Sequence, residues 1–227
     1  MRKRVLAALI FPALLLLGLS TALPASAAPL HRVPAQSVGG PWFEPQVGVA
    51  LQVVSVESTG GSRANVTAWQ RTLTGWQPVV GPVPGWVGSR GIAPAARDGI
   101  PATPAGVFSL GPVFGTAPPP GGLLPYRRIG GNDWWVGDAR SPLFNTHQVC
   151  APGRCPFNES ASENLQIPQY EYSVVMGVNP GRVPGGGSAF FMHLTDGTPT
   201  LGCVALDRGP LVQIIRWLAP GAVIAIR

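Results

Sequence analysis

Apolar stretches in this chain are short and broken by glycine, proline and serine, the pattern of strands joined by turns. Residues 47–56 (VGVALQVVSV) and 65–71 (NVTAWQR) read as paired strands across a Ser/Gly turn at 58–62. Residues 75–87 read as short extended pieces, and 99–110 as a turn followed by a short strand. The APPPGG run at 117–122 fits neither a helix nor a central strand, so it is expected to be a loop. Residues 130–145 carry Trp134, Trp135 and Asp138 with no clear period; the tryptophans are expected in the core, with one of them walling a substrate cleft as the alternative. Residues 170–178 alternate as a buried strand, 180–187 are turn-rich, and 188–194 form a strand ending near His193. Only 211–218 has helical spacing, with apolar residues at 211, 214, 215 and 218; Asp207 can cap its start, and Pro220 and Gly221 stop it. Residues 222–226 are a closing strand. The pattern predicts a mainly β fold with one late α-helix and no internal repeat.

The N-terminus has a different character. Arg2, Lys3 and Arg4 precede an apolar run at 5–19, and Ala25-Ser26-Ala27 supplies an A-x-A cleavage site, the three parts of a secretory signal peptide. Retention as an anchor is the alternative, but Pro12 interrupts the apolar run. Residues 1–27 are therefore expected to be removed, 28–45 to be a Pro/Gly-rich linker, and 46–227 to be the folded domain. The mature protein is expected to be extracytoplasmic, monomeric and without a membrane span.

Cleavage changes the charge balance. The whole chain has 16 basic and 10 acidic side chains; losing Arg2, Lys3 and Arg4 leaves 13 against 10. So small an excess does not point to nucleic acid. No lysine remains either, which excludes a Ser-x-x-Lys nucleophile pair.

The chemistry concentrates in residues 190–206 (FFMHLTDGTPTLGCVAL), where His193 and Cys203 flank a Gly/Pro/Thr turn. Two adjacent strands joined as a hairpin by that turn would set an imidazole beside a thiol, the minimum for an activated nucleophile. Of the three cysteines, Cys150 and Cys155 enclose a turn sequence and can close a local disulfide, leaving Cys203 free. Two alternatives stay open: a Cys3His zinc site from Cys150, Cys155, His193 and Cys203, and a Cys-His peptidase using Cys150 or Cys155. Neither a cofactor nor a metal is expected. His31 and His147 need only solvated or structural roles.

With these residues in view, the chain resembles the catalytic domain of the L,D-transpeptidases, the YkuD or ErfK/YbiS/YcfS/YnhG family, and especially its shorter actinobacterial branch. His193 matches the family's upstream histidine, and Thr200-Leu201-Gly202-Cys203 its Ser/Thr-His-Gly-Cys block. Thr103-Pro104-Ala105-Gly106-Val107-Phe108 resembles the TPxGxF element, and Asp133-Trp134-Trp135-Val136 and Ala161-Ser162-Glu163-Asn164-Leu165 resemble middle segments of the branch. Three features depart from the pattern: Leu201 stands for the second histidine, the gap from His193 to the cysteine block is shorter than in the standard motif, and Ala205 stands where an Arg or Asn is usual.

The resemblance implies an L,D-transpeptidase-like β-sandwich and a substrate in peptidoglycan stem peptides. It implies Cys203 as nucleophile and His193 as base, with Gly202 and Thr200 supporting the oxyanion and its loop. The thioester would pass to an amine, giving a 3→3 cross-link, or to water, giving carboxypeptidase activity. Carbapenems would acylate the thiol. Arg127, Arg128 or Arg182 could meet substrate carboxylates. A non-catalytic wall-binding domain with a decayed Cys-His pair is the competing reading.

The export signal is checked directly: N-terminal sequencing of the secreted protein is expected to start at Ala28, and a start at Met1 would show that the apolar segment is retained.

Overall fold

The computed structural model describes residues 40–227; the expected signal peptide and most of the expected linker lie outside them. The strands, in chain order, are β1 (Gln52–Gly60), β2 (Arg63–Thr72), β3 (Gly75–Trp86), β4 (Ile92–Ala93), β5 (Thr103–Pro104), β6 (Gly106–Gly115), β7 (Tyr126–Arg128), β8 (Asp133–Trp135), β9 (His147–Val149), β10 (Glu163–Asn164), β11 (Ser173–Met176), β12 (Phe191–Leu194), β13 (Val204–Leu206) and β14 (Val223–Ile226). The helix α1 spans Arg208–Trp217. The fold is thus mainly β with one late α-helix, in agreement with the hydrophobic pattern. Asp207 occupies the N-cap position, but its side chain makes no capping hydrogen bond. Among the described residues no helix is long and apolar enough to cross a membrane.

Nine strands form one sheet in the order β11-β12-β13-β3-β2-β1-β14-β6-β7, and a further β11–β6 pairing joins its two ends. The sheet is therefore barrel-like. The long strand β6 makes the closure possible: its first half pairs with β14 and its second half with β11 and β7. A second sheet, β10-β8-β9, stands apart from this ladder.

Two expectations are corrected here. Residues 75–87 are not separate pieces but the continuous strand β3, despite Pro78, Pro82 and Pro84. Proline lacks the N–H that an inner strand must donate. β3 tolerates it because its second neighbour, β13, reaches only Gly85 and Trp86, and its ladder to β2 is interrupted by register shifts. The folded unit also starts before residue 46: Phe43 is fully buried, packed edge-to-face on Trp69 and Trp76. An aromatic ring in a Pro/Gly-rich stretch reads as linker until the partners that bury it are known.

The main core lies inside the closed sheet. Val54, Val66, Val174, Met192, Val204 and Ile224 project into it, and α1 adds Leu211, Ile214 and Ile215. A separate cluster gathers Phe114, Leu165, Tyr170, Val175, Phe191 and Cys203. Because side chains alternate along a strand, Met192 and Val204 entering the first cluster forces Phe191 and Cys203 into the second. The candidate site is built on that second face.

Replacing Phe43 by alanine is expected to destabilise the domain by about 3 kcal/mol, whereas alanine at Leu73, exposed on the β2–β3 turn, should change stability by less than about 0.5 kcal/mol. Denaturant unfolding of both variants tests this; an unperturbed Phe43→Ala would return residues 41–45 to the linker.

Candidate active site

β12, which bears His193, and β13, which Cys203 immediately precedes, are neighbours, but they run parallel: Met192 lies opposite Val204, His193 opposite Ala205, and Leu194 opposite Leu206. The expected hairpin is therefore corrected to a short crossover through residues 195–203. Parallel pairing has one consequence for the site. Cys203 precedes Ala205 by two residues, so its side chain emerges on the same face as His193, one pleat along.

Close backbone packing shapes the turn before the thiol. Gly202 has φ +151°, and a Cβ there would lie 2.7 Å from the Phe190 ring and 3.1 Å from the Ala102 carbonyl oxygen. Only glycine fits this approach. Thr200 Oγ1 accepts the Gly202 N–H at 3.1 Å and donates to the Cys203 carbonyl at 2.7 Å. That carbonyl also accepts the hydroxyl of the fully buried Thr103 at 3.2 Å, and Thr103 Oγ1 in turn accepts the Gly88 N–H at 2.9 Å. The Thr-Pro-Ala-Gly element, a hundred residues upstream, is thus one of the supports of the cysteine loop. The Gly202 N–H, in the block expected to support an oxyanion, is committed to Thr200, which leaves the Cys203 N–H beside it as the local backbone donor.

Cys203 is 8% exposed. Its Sγ accepts the Phe191 N–H at 3.4 Å and donates to the Ala189 carbonyl at 3.4 Å. Ala189 has φ +58°, a costly conformation for a residue with a Cβ, and this aims its carbonyl at the sulfur. Its N–H is held by Asn145 Oδ1 at 3.3 Å. Asn145 also takes the Trp135 indole N–H at 2.8 Å and donates to the carbonyls of Val178 and Asn179. One amide side chain thus ties the small sheet, the 178–179 turn and the thiol's acceptor together. Sequence reading left Asn145 unmarked; its only signal is that asparagine tolerates a positive φ, here +55°.

His193 is 7% exposed. Its Nδ1 lies 2.8 Å from the Leu194 carbonyl oxygen, which can only accept, so Nδ1 carries the proton and Nε2 keeps a free lone pair. Burial lowers the imidazole pKa, opposed by the Leu194 carbonyl and by Asp196. Burial pushes the Cys203 thiol up, the nearby Glu163 carboxyl pushes it further, and the Phe191 N–H opposes both. The resting pair is therefore neutral thiol and neutral imidazole, not an ion pair.

Both side chains line one cavity of about 750 Å³, to whose lining the small sheet also contributes. That sheet contributes Trp135 and Glu163, which lie opposite each other on β8 and β10. The two tryptophans divide: Trp134 is buried as expected, whereas Trp135 walls the cavity, its ring edge-to-face with Phe191 at 5.0 Å. Arg97 is the arginine on the cavity, in place of Arg127, Arg128 and Arg182. Arg127 pairs instead with Asp133 at 3.6 Å. Leu201 is 83% exposed on the rim.

Cys150 and Cys155 are disulfide-bonded with Cα atoms 5.3 Å apart, leaving Cys203 as the free thiol. That bond removes two thiols from the Cys3His alternative and occupies both nucleophiles of the Cys150/Cys155 peptidase alternative. Among the described residues no group of three His, Cys, Asp or Glu side chains is placed to hold a metal ion. His147 is away from the cavity, its Nε2 at 2.7 Å from Asp133 Oδ1. Comparisons with protein-family models, with curated proteins and with solved structures find no match to this chain.

The raised thiol gives a test. Alkylation of Cys203 by iodoacetamide is expected to be slow at neutral pH and still rising at about pH 9, whereas in the denatured chain it should follow an ordinary thiol near about 8.5. A plateau already below neutrality would mean a preformed thiolate.

Proposed function

We propose that this protein is an exported cysteine acyltransferase of the L,D-transpeptidase type, acting on peptidoglycan stem peptides. The observation that carries the reading is a single free thiol and a neutral imidazole with an open Nε2, held on adjacent parallel strands and facing one peptide-sized cavity. The finer fold assignment, an L,D-transpeptidase-like β-sandwich, goes with it.

In this mechanism the thiol gives its proton to His193 Nε2 as Sγ attacks the carbonyl of the third stem residue. The resting pair is neutral, so charge develops only as attack proceeds, where the buried surroundings exclude water. The imidazolium then protonates the leaving amine of the terminal D-alanine, and the acyl group remains on Cys203 as a thioester. The Cys203 N–H is the local backbone donor for the tetrahedral oxyanion. An amine or water releases the acyl group. Arg97 is the cation on the cavity available to a stem carboxylate.

A second reading, a non-catalytic wall-binding domain, draws on the burial of the thiol and its raised pKa. Intact-mass analysis after incubation with a carbapenem separates the two. The parent is expected to gain one adduct and Cys203→Ala none at any pH. His193→Ala should acylate about 10²–10⁴-fold more slowly and recover in part as pH rises. Leu201→His, on the exposed rim, should change the rate less than His193→Ala does. Absence of any adduct on the parent favours the wall-binding domain; parental acylation by His193→Ala overturns the base assignment.

A further inference from the structure

Three carboxyl groups line the cavity: Asp196 has donors on both oxygens, Asp98 is exposed to solvent, and Glu163 is half-buried. Asp98 accepts the Gly185 N–H at 2.8 Å. Asp196 accepts the Thr198 hydroxyl and N–H and the Gln169 amide. Glu163 differs. Its Oε1 accepts the Tyr170 hydroxyl at 2.5 Å, whereas Oε2 has no hydrogen-bond partner and the carboxyl no cationic partner among the described residues. Tyr170 holds it rigidly: the buried ring packs edge-to-face on Phe114, Phe191 and His193 at 5.6, 5.4 and 5.3 Å. A fixed carboxylate oxygen without a partner, in the cavity that holds the nucleophile, is a site for a cation. No described residue supplies one there.

Resting on the acyl-enzyme reading above, we propose that Glu163 is the binding residue for a cationic primary-amine acceptor, positioned by Tyr170, and that it directs the Cys203 thioester toward transfer rather than hydrolysis. An alkylammonium group must lose a proton before its nitrogen can attack. Glu163 holds the ammonium through Oε2 and takes that proton. The nitrogen lone pair adds to the thioester carbonyl, the C–N bond forms and the C–S bond breaks. The second nitrogen proton passes through His193 Nε2 to the sulfur, restoring the thiol, and the proton on Glu163 leaves to solvent. Water needs no such anchor, so the carboxylate acts on the partition between acceptors.

The test measures that partition on the mature protein with a stem tetrapeptide donor, comparing amide product with hydrolysed product. Two acceptors are used near neutral pH: Nα-acetyl-lysine amide, whose amine is cationic there, and hydroxylamine, which is neutral. Glu163→Gln is expected to lower the lysine-amide-to-water ratio about tenfold while moving the hydroxylamine-to-water ratio less than about twofold. Glu163→Asp should recover part of the ratio, and Tyr170→Phe, which keeps the carboxylate but frees it, should give an intermediate loss. An unchanged lysine-amide ratio in Glu163→Gln overturns the inference, as does an equal loss for both acceptors. Both of those outcomes leave the acyl-enzyme reading standing, because adduct formation is scored separately by intact mass. If the parent forms no adduct, that reading and this inference fall together.

Discussion

The candidate site depends on the parallel pairing of β12 with β13. Met192, Val204 and Leu206 are locked into the main core, and strand alternation then leaves His193 and Cys203 no choice but the opposite face. A slip of one residue in either strand would bury an imidazole or a thiol among aliphatic side chains and expose a core residue. The chemistry is therefore held in place by the hydrophobic effect acting on its neighbours, not by the polar contacts the two groups make.

What covers that face decides its electrostatics. The small sheet brings Trp135 and Glu163 over the thiol, and Asn145 fastens it to the turn at 178–179 and to Ala189. Excluding water favours the neutral forms of both the thiol and the imidazole, for the same desolvation reason. Such a site disfavours a preformed thiolate. In the proposed mechanism, reactivity therefore rests on proton transfer within the cavity once a substrate is in place.

The loop carrying the thiol is supported from outside its own segment. Two threonine hydroxyls, from Thr200 and Thr103, converge on the Cys203 carbonyl, and the Gly202 backbone passes the Ala102 carbonyl where a Cβ would not fit. The Thr-Pro-Ala-Gly element therefore has a mechanical role in this chain: it fixes the direction in which the residue after Gly202 points.

Local pattern was enough to determine much of this. The mainly β class, the β1–β2 hairpin, the one helix, the closing strand and the Cys150–Cys155 bridge all rest on alternation, helical spacing or short chain separation, which are written in consecutive residues. Leftover-cysteine logic likewise singled out Cys203, and its nearness to His193 followed from the strand pattern. Long-range contact decided the rest. Parallel rather than antiparallel pairing of β12 and β13 depends on where residues 195–203 can pass over the sheet. Phe43 joins the core because Trp69 and Trp76 stand there to receive it, and β3 survives its prolines because one side of it is nearly free. Tyr170, Asn145 and Arg97 carry no local mark of a site, and Thr103 and Glu163 stand out only as members of segments that resemble the family, with no role attached. They become parts of one only when tertiary packing brings them to the cavity, because burial and the company of other polar groups, which give a side chain its chemistry, are properties of the fold and not of the residue.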